Sequence, residues 1–185
     1  MNTQIIPGSI GAIAKQNGAS IAETFLSADA IVLVDTSGSM DATDARAGKS
    51  RYQVACDELA NLQNTMPGKV AVVAFSDTTV FCPNGVPQFL QSGTDLAGGL
   101  NFMHVADGLG LKIILISDGE PNSREQALAA AKRFKSPIST IYVGPEGGPG
   151  SQFLKQLAAA CGGQAVTAQF AASLADKTQL LIARP

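Results

Sequence analysis

Two carboxylates and three hydroxyls stand where loops would gather them. Asp35, Ser37 and Ser39 occupy alternate positions in Asp35-Thr36-Ser37-Gly38-Ser39, directly after the apolar run Ala30-Ile31-Val32-Leu33-Val34. Asp118 comes after a second apolar run, Ile113-Ile114-Leu115-Ile116, and Ser117. Thr94 lies between the two in Ser92-Gly93-Thr94-Asp95. Alternate spacing lets one loop curl three side chains around a single centre. All five groups offer oxygen, which suits Mg²⁺, Mn²⁺ or Ca²⁺ and disfavours Zn²⁺, whose sites use His or Cys. The chemistry within reach is the holding of a hard divalent cation.

The elements around these residues must place them together. Apolar runs recur at 30–35, 69–76, 111–118 and 137–144, with a shorter one at 164–167. The first and third are apolar without alternation, as strands covered on both faces of a parallel sheet are. Helical stretches separate them. Tyr52, Ala55, Leu59 and Leu62 share one helical face, which Met66-Pro67-Gly68 terminates. Asn122-Ser123-Arg124-Glu125 reads as a capping box opening a helix through Phe134, with Leu128 and Ala131 inward. Residues 153–160 and 170–181 predict two more. Strands alternating with helices predict an α/β fold: a doubly wound, mostly parallel sheet with helices on both faces. Thr79-Val80-Phe81 follows the second strand after two residues, which predicts an antiparallel edge strand. In such sheets ligands sit beyond the carboxyl ends of the strands, where Asp35 and Asp118 stand. Residues 1–28 are expected to be an arm, either mobile or packed on the domain as one or two amphipathic turns, with the main domain at 29–185.

With the strands before Asp35 and Asp118, and with Gly93-Thr94, the pattern resembles the von Willebrand factor type A (vWA) domain. That family carries a metal ion-dependent adhesion site (MIDAS): D-x-S-x-S, a Thr on a second loop and an Asp on a third. Asp35, Ser37, Ser39, Thr94 and Asp118 match it in order and separation, and the resemblance covers about residues 28 to 182. It implies a Rossmann-like sheet of six strands. It also implies a divalent cation, Mg²⁺ before Mn²⁺ or Ca²⁺, held by Ser37, Ser39 and Thr94, with Asp35 and Asp118 acting directly or through waters. A partner's Asp or Glu would complete the coordination. The function expected is metal-dependent protein–protein interaction, the partner being a protein that supplies an Asp or Glu to the metal, such as an AAA+ ATPase or a multiprotein assembly.

Other residues of chemical type fit simpler roles. Met40-Asp41-Ala42-Thr43-Asp44 lacks the adjacent acid pair that would make a second metal site, and reads as a solvated loop. Asp95 and Glu120 read as helix-terminus charge or acidic rim. His104, the only histidine, reads as a helix-end or packing residue. Gly48-Lys49-Ser50 has Thr43 where a phosphate loop needs its first Gly. The run 144–150 reads as a surface loop before a helix. A Mg²⁺-dependent phosphoryl hydrolase also begins with Asp after its first strand. It usually needs a second carboxylate two residues on, where Ser37 stands, and a basic group near the third loop, where Arg124 is alone. The expectation is no enzyme. A structural assembly subunit with a closed metal site is the remaining alternative.

Composition narrows the classes further. The 185 residues carry 13 Lys+Arg against 15 Asp+Glu, a formal charge of −2, which argues against a nucleic-acid binder. Hydrophobic residues make up 45% and charged ones 15%, a globular balance. No signal-like segment opens the chain and no apolar run is long enough for a bilayer, so no membrane association is expected. Cys56, Cys82 and Cys161 are widely spaced and odd in number, as expected of free thiols in the cytoplasm.

Overall fold

The computed structural model describes residues 4–45, 48–145 and 147–167. β1 (Ala30–Asp35) and β4 (Lys112–Ser117) lie side by side at the centre of one sheet, in parallel register from Ala30 opposite Lys112 to Val34 opposite Ile116. β2 (Val70–Phe75) pairs parallel on the far side of β1, and β3 (Thr79–Phe81) runs antiparallel to it at the edge. β5 (Ile138–Tyr142) and β6 (Ala165–Thr167) extend the sheet beyond β4, giving the order β3-β2-β1-β4-β5-β6. From β1 the chain goes first to one side and later to the other. The crevice at the carboxyl ends of β1 and β4 is therefore the switch point of this sheet.

Residues of a strand point alternately to the two faces. Ile31 and Leu33 of β1 join Ile113 and Leu115 of β4 in one core cluster, while Val32 and Val34 join Ile114 and Ile116 in another. Val32, Leu33 and Val34 are wholly buried, each worth roughly 1.5–3 kcal/mol. This double burial is why neither strand alternates in sequence.

α3 (Arg51–Thr65) covers one face with Ala55, Leu59 and Leu62. Its start is a capping box: Ser50 Oγ accepts from Gln53 N, and Ser50 N donates to Gln53 Oε1. α4 (Leu96–Met103), α5 (Arg124–Ala131) and α6 (Pro149–Ala160) cover the other face. Two predicted starts move. α5 is capped by Ser123 rather than Asn122 and ends at Ala131, with Phe134 buried just beyond it. α6 begins at Pro149, ahead of the expected 153, because Pro suits the first turn of a helix. The helix expected over 170–181 lies outside the described residues.

The N-terminal segment forms α1 (Ile10–Asn17) and α2 (Ile21–Leu26). Ile6 N donates to Asn84 O and Gly11 N to Pro83 O, and Gly68 N donates to Gly8 O. Ile10 and Ala14 are buried, whereas α2 leaves Ile21 and Leu26 exposed beside Phe102 and Val105, lining an open apolar groove. No helix among the described residues is long and apolar enough to cross a membrane.

Candidate metal site

The loop after β1 is shaped by its backbone. Thr36 is buried, its N and Oγ1 both donate to Phe75 O at 2.9 Å, and its own carbonyl accepts from Leu90 N and Gln91 N. The chain then turns through a short 3-10 segment, Gly38–Asp41. Ser37 N donates to Asp35 Oδ1 at 2.9 Å, and Ser37 Oγ and Ser39 Oγ share a hydrogen bond of 3.1 Å. Alternate spacing thus brings the two hydroxyls together beside the Asp35 carboxylate.

Two neighbouring loops are latched to the first and to each other. Gly38 N donates to Ser92 O at 3.0 Å, tying the loop that carries Thr94 to the Asp35 loop. Thr94 N donates to Asn122 Oδ1 and Asn122 N donates to Thr94 O, both at 3.0 Å, tying it to the loop after β4. Asp77 steadies the same stretch, accepting from Ser92 Oγ and from Gly93 N. Gln91 takes a left-handed φ of 55°, a conformation that costs a non-glycine residue energy. The loop after β4 closes the arrangement: Ser117 Oγ donates to Asp35 Oδ2 at 2.7 Å and accepts from Gly119 N at 2.9 Å. Asp35, Ser37, Thr94 and Asp118 are buried, while Ser39 is half-buried and Gly38, Ser92 and Glu120 are exposed, so the cluster reaches the surface on the Ser39 side.

Burial and a neighbouring like charge act together on Asp35. Burial pushes the Asp35 carboxyl up to about 6 and the neighbouring Asp118 charge adds to this, against the hydrogen bonds from Ser37 and Ser117 that favour its ionised form. A cation between the carboxylates would relieve that repulsion. Among the described residues no three His, Cys, Asp or Glu side chains cluster as a metal-holding group. An ion here would rest on two carboxylates and on hydroxyl oxygens, a donor set that fits Mg²⁺, Mn²⁺ or Ca²⁺.

Several residues escaped the sequence reading. Arg51, the first residue of α3, donates from Nη1 to Asp118 Oδ2 at 2.8 Å. It also grips Asp44, from Nε to Oδ1 at 2.8 Å and from Nη2 to Oδ2 at 2.6 Å. Asp41 and Asp44 stand exposed, as a solvated loop requires, and the Arg51 hydrogen bonds hold the Asp44 carboxyl below the usual range. Gly150 lies so close beneath the third loop that a Cβ there would meet Asp118 O at 1.8 Å, so the 144–150 run also supports the site floor. The remaining minor readings fare simply. Asp95 caps α4 by accepting from Gly98 N, His104 packs on the Phe134 ring at 5.0 Å, and Arg124 lies over the Phe153 ring at 5.6 Å.

No protein-family model and no curated protein matches this sequence. Solved structures do. An aerotolerance-related membrane protein from Bacteroides fragilis, carrying multiple mutations to serines, gives a TM-score of 0.65 at 16% identity over 84% of this chain and 98% of its own. A von Willebrand factor type A from Catenulispora acidiphila gives 0.60 at 19% identity, over 84% of this chain and 42% of that one. The manganese-loaded TRAP protein of Plasmodium vivax gives 0.56 at 16% identity, over 85% and 72%. At such identities the likeness is one of fold. The six-stranded sheet with one antiparallel strand is a vWA-type architecture, as the sequence led us to expect.

Proposed function

We propose that this chain is a protein-interaction module whose site, Asp35, Ser37, Ser39, Thr94 and Asp118, holds a divalent cation that an acidic residue of a partner completes. The observation that carries this reading is the latching of three hydroxyl-bearing loops around two buried carboxylates, with the Ser39 side open to solvent. The manganese carried by the Plasmodium neighbour supports a divalent ion in this architecture. Ser37, Ser39 and Thr94 would bind through neutral oxygens, Asp35 and Asp118 directly or through water, with Mg²⁺ the first choice. The ion supplies an electrophile. Because hydroxyls do not neutralise it, a partner's Asp or Glu gains more than it would at an all-carboxylate site. Asp35 is held ready by Ser37 N and Ser117 Oγ, which fix one oxygen each. The open side favours this reading over a closed structural ion. An AAA+ ATPase or a multiprotein assembly is the kind of partner we assign. The three cysteines stand as free thiols, which fits a cytoplasmic setting.

The test has two stages. Mn²⁺ or Mg²⁺ titrated into the purified chain should bind at one site, and Asp35→Ala should lose it while keeping its circular dichroism spectrum. A purified acidic partner should then bind in Mg²⁺ and be released by chelator; equal affinity in excess chelator sinks the proposal. One observation favours a rival, since Arg51 supplies the basic group at the third loop that a phosphoryl hydrolase needs. Position 37 is still a serine where the general acid would stand. Mg²⁺-dependent turnover of a phenyl phosphate by the unmodified chain, with Ser37→Asp as the gain-of-function control, would replace the binding reading with the hydrolase.

A further inference from the structure

Arg51 is an unexpected cation to find here. Its place as the first residue of α3 sets a positive charge at the positive end of a helix dipole, an unfavourable position. Two carboxylates from other loops compensate it. Asp44 takes the guanidinium edge in a two-pronged bond that fixes the plane, and this leaves Nη1 aimed at Asp118 Oδ2. The arginine side chain is only 13% exposed and that of Asp118 1%. The backbone holds the group in place as well, Arg51 N donating to Ala42 O at 3.1 Å and joining the helix start to the tail of the Asp35 loop. The guanidinium is therefore built into the site rather than laid across its surface.

Resting on the functional reading above, we propose that Arg51 is the site's resident counter-cation: it holds Asp118 until a divalent ion enters, and competes with that ion for the carboxylate. Charge counting shows the consequence. Asp35, Asp118 and Asp44 against Arg51 leave a local charge of about −2, which a divalent ion brings to about zero. Remove Arg51 and the loaded site stays near −1. The arginine thus weakens the hold on the metal while making the loaded site more receptive to a partner's carboxylate. Asp44 tempers both effects by sharing the guanidinium.

The experiment titrates Mn²⁺, followed by its paramagnetic resonance signal, into the unmodified chain, Arg51→Gln, Arg51→Lys and Asp44→Asn, with thermal melts in chelator and in Mg²⁺. Arg51→Gln should bind Mn²⁺ about tenfold more tightly, Arg51→Lys within about twofold of the unmodified chain, and Asp44→Asn several-fold more weakly. In chelator Arg51→Gln should melt lower, and Mg²⁺ should raise its midpoint more than it raises that of the unmodified chain. Equal or weaker Mn²⁺ binding by Arg51→Gln, with the unmodified chain loading normally, overturns the counter-cation and leaves the metal site standing. Loading of Arg51→Gln alone removes the metal from the unmodified chain's function but upholds the competition. Loading of neither removes both. Should Arg51→Gln not fold, Arg51→Lys and Asp44→Asn decide: equal Mn²⁺ affinity in Asp44→Asn and the unmodified chain counts against the proposal.

Discussion

Gly150→Ala isolates the floor of the site from its ligands. Gly150 is the second residue of α6, and its backbone lies flat against the turn carrying Asp118. A Cβ there would fall 1.8 Å from Asp118 O and 2.8 Å from Asp118 C, where real Cβ atoms essentially never come within 3.0 Å, so something must move by about 1.2 Å. The obstructing atoms are backbone, and no rotamer change relieves them. If α6 yields, Phe153, Leu154 and Leu157 lose buried packing, at roughly 1.5–3 kcal/mol per side chain fully exposed. If the 118–119 turn yields, Gly119 N leaves Ser117 Oγ and Asp118 leaves Arg51, a smaller loss. We therefore expect the turn to move and the fold to survive, weakened by about 2 kcal/mol. Mg²⁺ demands near-ideal octahedral geometry at about 2.0–2.1 Å and Ca²⁺ does not. The shifted Asp118 should thus cost Mg²⁺ affinity tenfold or more, about 1.4 kcal/mol, and Ca²⁺ less. Gly108→Ala is the control, since a Cβ there meets nothing within 4 Å. Urea unfolding and Mg²⁺ and Ca²⁺ titrations read both effects. A Gly150→Ala protein as stable as the control, with unaltered Mg²⁺ affinity, would refute the packing argument.

Other expectations follow from single hydrogen bonds. Ser117→Ala removes the donor to buried Asp35 and the acceptor of Gly119 N; it should cost about 2–4 kcal/mol in urea unfolding, and a loss under about 0.5 kcal/mol would contradict this geometry. Burial pushes the Asp107 carboxyl up, but the N–H groups of Lys135 and Ser136, at 2.9 and 2.8 Å, outweigh it and hold it below its usual value. A depressed carboxyl stabilises above its unfolded pKa of about 4 and loses that contribution as pH falls. Asp107→Asn should therefore cost about 1–2 kcal/mol at pH 7 and flatten the decline of stability below pH 4, and an acid limb as steep as the unmodified chain's would count against the assignment.

How much of this was legible beforehand differs by element. β1 and β4 announce themselves because burial on both faces forces uninterrupted apolar residues, and Thr79-Val80-Phe81 because the three residues after Phe75 leave room only for a reversal. D-x-S-x-S is legible because its geometry is local. Arg51 was not, since its partner Asp118 lies 67 residues away and ion pairs leave no periodicity. Asn122 looked like a helix cap, yet its side chain serves Thr94 N, and Ser123 does the capping. Gly150 looked like loop composition because the need for a missing Cβ arises only once Asp118 lies over it.

These misses share a cause that bears on how the site works. The loops are aligned mainly through backbone: Gly38 N on Ser92 O, Thr94 on Asn122, Thr36 O on Leu90 and Gln91, Gly150 against Asp118. Amide groups position side chains without adding net charge, so a chain that is only 15% charged can hold two buried carboxylates together. Were the same alignment made by ion pairs, each pair would bring further fixed charges close to a divalent ion, altering both its affinity and its pull on an incoming carboxylate. Among the described residues one such pair enters, and its arginine is itself shared with Asp44. The scarcity of charge in the sequence thus becomes a property of the site: the few charges present act on each other strongly, so removing a charge at Asp35, Asp44, Arg51 or Asp118 should change metal affinity through the local field, whereas displacing the backbone at Gly150 should change it through geometry.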